Sequence, residues 1–401
     1  MQHKMRRAAG CAVIWAGMIC LYTAALLLAY TIPDEWIAPG VEAAVAIIDE
    51  ESNMVGGYAT YFWHNGFGIT DNLTDIGIYK GLLRDGRSIV DAAMRTDYPR
   101  YWHGYAVTLR PLVTVLSIIN IRYLNMMALM GLFALCYWHC RRRMGGWMAA
   151  VFSIGLLMTF LLIAPFCQQY MTVTLLTLLS CWLLLAFWER LRDDLPEFFL
   201  ILGSLVCFFD FLTFPVLALG YPLLVCLLLK SLDGSSTASL WKHTIGLSAL
   251  WMGSYALTWL AKAIPGGLLT GQDVIGDILE QVAFRTTGTM ETRADSSMEI
   301  TAWIAISKNV ETFFMGSNTA LFAAMLAAVV LRAIRLKTTV RDWLHALPVA
   351  AVSIYPFVWY AVMKNHVRVH FWMTNKMLAV TVFALCACAL CASWKNTRKG
   401  R

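Results

Sequence analysis

Residues 198–229 read FFLILGSLVCFFDFLTFPVLALGYPLLVCLLL, an apolar run of 32 positions with an acid, Asp210, and a proline, Pro215, near its middle. As one helix it would be about 48 Å long at 1.5 Å per residue. A bilayer's hydrocarbon core is about 30 Å thick. A buried charge followed by a helix breaker predicts two short helices meeting at a turn in Asp210-Phe211-Leu212-Thr213-Phe214-Pro215. Each half is then short for a span. Whether this stretch counts as one crossing or two sets the parity of everything after it.

Working outward, further apolar runs cover 8–31, 121–139, 147–164, 171–188, 244–264, 317–331, 344–363 and 371–393. Charge sorts them. With the N-terminus in the cytoplasm and residues 198–229 crossing twice, 18 of the 32 basic residues fall in inner segments, including Arg141–Arg143, Arg332, Arg335 and Lys395. The acids gather outside, as the positive-inside pattern requires. A single crossing would turn the later basic clusters outward. The reading is therefore an all-α polytopic membrane protein with about ten transmembrane helices, both termini cytoplasmic. The first span, 8–31, behind Lys4, Arg6 and Arg7, is read as a retained signal anchor, since no small-x-small cleavage site follows it. A first outer loop, 33–120, is expected to be ordered and to carry interfacial helices. Central helices follow at 121–264, a second outer loop at 265–316, C-terminal helices at 317–393 and a cytoplasmic tail at 394–401.

Composition agrees. The 401 residues are 59% hydrophobic and only 14% charged, against about 25% charged in soluble domains. The net charge of +7 resides in inner loops, so it is an orientation and lipid signal and points to no nucleic acid. The eleven cysteines sit in or at the ends of apolar runs and form neither a disulfide framework nor a zinc pattern. Cys388 and Cys391 form a CxxC that reads as helix packing. There is no P-loop, GxGxxG, GxSxG or HExxH, which leaves ATP-driven transport, nicotinamide chemistry, serine hydrolysis and metalloproteolysis without sequence support.

Four stretches could carry chemistry. In Thr70-Asp71-Asn72-Leu73-Thr74-Asp75 the two acids are four apart, so on a helix they share a face. They could serve as a general base or hold a divalent cation, Mg or Mn. The plain alternative is an N-capped surface helix, with Thr70 or Asp71 as cap. Asn72-Leu73-Thr74 also matches a glycosylation acceptor, a pattern common by chance. In Asp97-Tyr98-Pro99-Arg100-Tyr101-Trp102-His103-Gly104-Tyr105, aromatic faces suit a sugar ring and Arg100 a phosphate. An aromatic belt at the interface would explain the rings, and Trp102 with them, but not Asp97, Arg100 and His103. Asp210 is an ionisable group at membrane depth, which marks either function or an internal salt bridge, for which Arg110 is the expected partner. Arg110 itself, in an apolar stretch over 105–120, is expected at headgroup depth on an interfacial helix. The turn Lys364-Asn365-His366-Val367-Arg368-Val369-His370 could hold a lipid phosphate through Lys364, Arg368 and His370. His366 and His370, four apart, could also pair on a metal, or the cations could simply snorkel.

This layout resembles the GT-C superfamily, the integral-membrane glycosyltransferases that use polyprenyl-phosphate sugars. The Asp71–Asp75 motif, Arg100-Tyr101-Trp102-His103-Gly104 with Leu109-Arg110-Pro111, and Phe209-Asp210-Phe211-Leu212-Thr213-Phe214-Pro215 also resemble a group of functionally obscure bacterial polytopic membrane proteins. The GT-C resemblance implies inverting transfer of a sugar from a polyprenyl-phosphate donor to a glycan, lipid or protein acceptor, on the outer face of a bacterial inner membrane. Asp71 or Asp75 would be the base or metal ligand. Asp97, Arg100, Trp102, His103, Arg110 and Asp210 would shape the pocket, and Lys364, His366, Arg368 and His370 would meet the phosphate. A transporter or flippase for a lipid-linked or anionic solute, using Asp210 and Arg110 as intramembrane charges, is the alternative. A non-catalytic envelope scaffold would need none of the outer acids.

Overall fold

The computed structural model describes residues 2–52, 70–95, 97–291 and 297–399. Residues 53–69 of the first loop, Asp295 of the second and the last two residues of the tail lie outside them. The described chain is helical apart from a hairpin of two three-residue strands, β1 (Thr289–Glu291) and β2 (Ser297–Glu299), paired antiparallel with Met290 opposite Met298.

The helices in order are α1 (Gln2–Ala29), α2 (Asp34–Ser52), α3 (Asn72–Lys80), α4 (Ile89–Met94), α5 (Tyr105–Val113), α6 (Ile118–Met144), α7 (Gly146–Leu157), α8 (Gln168–Ala186), α9 (Trp188–Leu191), α10 (Leu195–Phe209) and α11 (Val216–Leu232). There follow α12 (Thr237–Ala261), α13 (Ala263–Thr270), α14 (Val274–Thr286), α15 (Ala302–Phe313), α16 (Ser317–Arg335), α17 (Val340–Ala351), α18 (Tyr355–Val362), α19 (Lys364–Val369), α20 (Phe371–Thr374) and α21 (Leu378–Lys399). Local chemistry starts many of them. The hydroxyls of Ser117, Ser236 and Thr301 accept the first free amides of α6, α12 and α15, and Thr339 with Asp342 forms a capping box on α17.

Among the described residues, six helical segments are long and apolar enough to cross a membrane: Arg6–Ala29, Ile118–Met144, Gln168–Ala186, Ser317–Arg335, Val340–Val362 and Phe371–Trp394. The run at 198–229 is split as its sequence predicts. It forms α10 and α11, separated by a turn at Asp210–Pro215. The run at 147–164 holds a break its composition hides. Phe160 takes a left-handed φ of 55°, and the chain continues as a 3-10 helix at Leu161–Phe166, where Pro165 removes an amide. The segment at 105–120 is α5 followed by a turn, and its last three residues already belong to α6.

The bundle has a centre and a rim. The apolar part of α21 is 89% buried, whereas that of α1 is 11% buried. Every residue of α11 from Val216 to Leu229 is buried. Gly203 lets α10 lie against α12, because a Cβ there would sit 2.4 Å from the Trp251 carbonyl oxygen. Outward-facing leucines and tryptophans on α1, α6, α12 and α16 match a surface solvated by lipid.

Candidate active site

Six parts of the chain meet at one end of the bundle around a cavity of about 280 Å3. They are the start of α3, the loop 95–105, the N-terminus of α8, the turn after α10, the C-terminal end of α14, and α19 with the residues after it. Asp71, Tyr101, His103, Arg285, His366 and His370 all line it.

Asp71 is the N-cap of α3 and accepts the Thr74 amide at 3.1 Å. It is only 4% exposed, although it was expected on a surface helix if merely a cap. Asp75 behaves differently. The two acids do not share the cavity: Asp75 points the other way and caps α8, accepting the Gln168 amide at 3.0 Å and the Cys167 thiol at 3.8 Å. With its oxygens so engaged, Asp75 cannot join Asp71 as an ion-holding pair. Among the described residues no group of three His, Cys, Asp or Glu side chains is placed to hold a metal. Asn72 is buried too, and its amide donates to the Ile48 carbonyl at 3.2 Å, so it does not present a glycosylation acceptor.

Burial raises the Asp75 carboxyl to about 7, against the pull of its amide bonds. The sign of the linkage follows. The folded state holds this proton more tightly than the unfolded chain, so the contribution is complete below about pH 4 and is lost as pH rises through 7. Asp75→Asn, which keeps an acceptor for Gln168, is expected to flatten this part of the fall in unfolding midpoint between pH 4 and 7. An unchanged slope in the variant would show that Asp75 is not the group responsible.

The loop 95–105 is held by its own charges. Asp97 bridges Arg87 at 2.7 Å and Arg95 at 3.0 Å. Burial alone would raise its carboxyl, but the two guanidiniums hold it down at about 2. Arg100 pairs with Asp277 at 3.1 Å and lies over the Tyr98 ring at 3.8 Å. Neither Asp97 nor Arg100 lines the cavity; both brace it. Trp102 is inside the core, donating to the Thr258 carbonyl at 2.7 Å and packed against Tyr22 and Phe208. It is therefore a packing residue rather than a sugar platform. Gly104 permits the loop's approach to α10, since a Cβ would meet the Phe208 ring at 2.6 Å.

This leaves His103 in the cavity wall, with a left-handed φ of 57°. Its protonation state can be assigned. Arg95 donates to the Tyr105 hydroxyl at 2.8 Å, so that hydroxyl donates onward to His103 Nδ1 at 3.3 Å. His103 Nε2 carries the proton and gives it to the Tyr98 carbonyl at 2.9 Å. Burial first, and Arg95 second, push the imidazole well below its ordinary range, so it is neutral. Arg95 and Leu212 also have left-handed φ values, 52° and 64°. Strain of this kind concentrates where a functional geometry is over-determined.

His366 is likewise neutral. Arg285 can only donate, and does so to Nδ1 at 2.8 Å; Nε2 donates to the Leu212 carbonyl at 2.8 Å. Both ring nitrogens are used, so His366 and His370 are not a metal pair. Their rings lie 4.7 Å apart. Burial lowers His370 to about 4, with Asp71 opposing and Arg285 reinforcing the shift. Lys364 packs its ammonium against Gly288, and neither it nor Arg368 lines the cavity.

Arg110 and Asp210 do not meet. Arg110 has no exposed surface, and its ionic partner is Asp34 at 3.3 Å. Asp210 closes its own turn by accepting the Thr213 amide at 3.0 Å and the Thr213 hydroxyl. It stands next to Phe211, which does line the cavity.

Reasoning from sequence missed Arg285 and Gln169. Arg285 ends an acid-bearing helix in the second outer loop, where a lone arginine was the available signal. Gln169 had none. Four polar atoms on the wall are buried without a partner: Tyr101 Oη, Gln169 Nε2, Arg285 Nε and His370 Nδ1. Native interiors pair most such atoms, and these four converge on one space where a polar group would meet them. No family model, no curated protein and no solved structure matches this chain.

Proposed function

We propose that the chain is a membrane glycosyltransferase that moves a sugar from a polyprenyl-phosphate donor to a glycan, lipid or protein acceptor at the outer face of a cell membrane. The observation that carries this reading is the cavity itself: one nearly buried carboxylate, Asp71, faces an arginine and a neutral imidazole across a space lined by unsatisfied donors and aromatic rings. Its rim adds a lipid character. The outer side of α14, which carries Arg285, exposes Ile275, Leu279 and Phe284.

In this mechanism the Asp71 carboxylate takes the proton of the acceptor hydroxyl as the oxygen attacks the anomeric carbon. The bond from that carbon to the phosphate oxygen breaks, and polyprenyl phosphate leaves with the electron pair. Arg285 meets the growing negative charge, a task for a preorganised cation. Tyr98, Tyr101 and Phe211 offer faces to the sugar ring. Ten crossings result when α7, α10, α11 and α12 join the six long segments. That count puts Arg141–Arg143, Arg332 and both termini on the cytoplasmic side. The polytopic layout and the bacterial inner membrane belong to the same proposal.

The test is a reconstituted assay with a panel of radiolabelled polyprenyl-phosphate hexoses and envelope acceptors. Label is expected to leave the polyprenyl phosphate, and Arg285→Ala to lower the rate on the order of 10^2–10^3-fold. A transporter or flippase would instead move the intact lipid-linked sugar. Label that stays on every donor, or full activity in Arg285→Ala, overturns the reading.

A further inference from the structure

A second cavity, about 500 Å3, lies at the other end of the bundle. The length of α11, about 25 Å for 17 residues, separates it from the Asp71 cavity. Its wall contains Arg141, Arg142, Arg143, Arg332, Trp147 and Trp394, and among the described residues no acidic side chain lines it. We propose that this cavity binds a phosphate-type oxyanion, either the headgroup of an anionic phospholipid or a soluble phosphate compound. The site stands apart from the glycosyltransferase reading and does not depend on it.

Three separate pieces of chain bring these cations together. Arg141–Arg143 form the last turn of α6, Arg332 comes from the end of α16, and α21 closes the space with Ser393 and Trp394. The chain reverses sharply after the arginine run. Gly145 has φ 89° and ψ 167°, a conformation open to glycine and to almost nothing else, and its amide returns to the Arg141 carbonyl at 3.0 Å. Without that reversal α7 would continue away and Trp147 would not face Arg332, whose guanidinium lies 5.7 Å from the indole centroid.

Two ordinary explanations account for part of this charge. Cations suit the C-terminal end of a helix, and they orient a membrane protein. Neither requires them to converge on a cavity from two helices. Of the arginines on the wall, Arg143 lies 3.8 Å from Glu189, which is 63% exposed and is shared with Arg192 at 2.9 Å. Guanidinium groups gathered around one space attract an anion, and their forks match phosphate oxygens in geometry as well as charge. The volume suits a headgroup or a small phosphate compound.

The experiment uses the full chain in an uncharged detergent and follows its unfolding midpoint. The probes are phosphatidylglycerol, phosphatidylcholine as the uncharged reference, and inorganic pyrophosphate. A saturable rise with phosphatidylglycerol, with pyrophosphate or with both is expected, and none with phosphatidylcholine. A response to the lipid alone identifies a headgroup site; a response to pyrophosphate alone identifies a soluble phosphate. Arg142→Ala with Arg332→Ala should weaken the apparent affinity at least about tenfold. The charge-matched pair Arg335→Ala with Arg341→Ala, outside the cavity, should change it by less than about twofold. If the alanine pair lowers the unliganded midpoint, Arg142→Lys with Arg332→Lys keeps the charge, loses the forks and should still weaken binding several-fold. No rise with either anion, or equal losses in the two alanine pairs, would sink the proposal.

Discussion

Asp71→Asn is expected to give a folded protein that has lost transfer activity, by about 10^2–10^4-fold, the usual range for removing a general base. The substitution separates two roles. Asp71 caps α3 through one carboxylate oxygen on the Thr74 amide. Asparagine caps helices about as well as aspartate, so the start of α3 should hold. What disappears is the ability to accept a proton from an acceptor hydroxyl. The unfolding midpoint should therefore move little while the rate collapses, and donor affinity should change far less than turnover. Asp71→Ala is the contrasting variant, losing cap and base together. Activity near that of the parent in Asp71→Asn would remove Asp71 as the base. Asp75→Asn should leave most of the rate, because Asp75 faces α8 and not the cavity.

The largest effect on folding is expected at Arg110. Its guanidinium donates to the carbonyls of Ala29 at 2.9 Å, Ile32 at 2.5 Å and Leu82, and to the Asp34 carboxylate at 3.3 Å. Its plane also lies 4.3 Å from the Tyr30 ring centroid. One side chain thus ties the end of α1, the start of α2 and the turn after α3 to α5. Arg110→Met fills similar space but takes away the donor to the Ile32 and Leu82 carbonyls, while the Ala29 carbonyl keeps the Ile32 amide and Asp34 keeps Arg84. Each orphaned carbonyl costs about 1–3 kcal/mol, and the loss of the Tyr30 contact and of the tie to Asp34 adds to it. Domains are stable by only about 5–15 kcal/mol. The variant should therefore yield little monodisperse protein in detergent, with a clearly lowered midpoint where it can be measured. Arg110→Lys should fall between, since an ammonium reaches fewer of the four acceptors. A parental midpoint in Arg110→Met would show that the network carries no such weight.

Arg110 also shows where reading the sequence stops. An arginine before a proline in an apolar stretch looks like a headgroup anchor, and Asp210 is the obvious buried acid for it. The fold brings Asp34 instead, 76 positions away, because α1 turns sharply into α2 beneath α5. Asp71 and Asp75 carry the same lesson. Their spacing permits a shared face, but a cap residue precedes the helix and points differently from one in the first turn. His103, His366 and His370 were legible as candidates because imidazoles beside membrane segments are few. Arg285 had only its place at the end of an acid-bearing helix to mark it, and Gln169 had nothing; both matter through the company the fold gives them.

By itself the sequence determined what local energetics control. Long apolar runs and 14% charge call for long apolar helices of the kind that suit a bilayer, because lipid leaves backbone groups no other partner. Asp210 with Pro215 required a break in the run at 198–229, because the ring forbids the helical hydrogen bond there. Only the tertiary structure decided which polar side chains face one another. That choice depends on which distant residues come to line one space, such as Asp71 and His370 about one cavity and Arg142 and Arg332 about the other. No local periodicity encodes such a gathering.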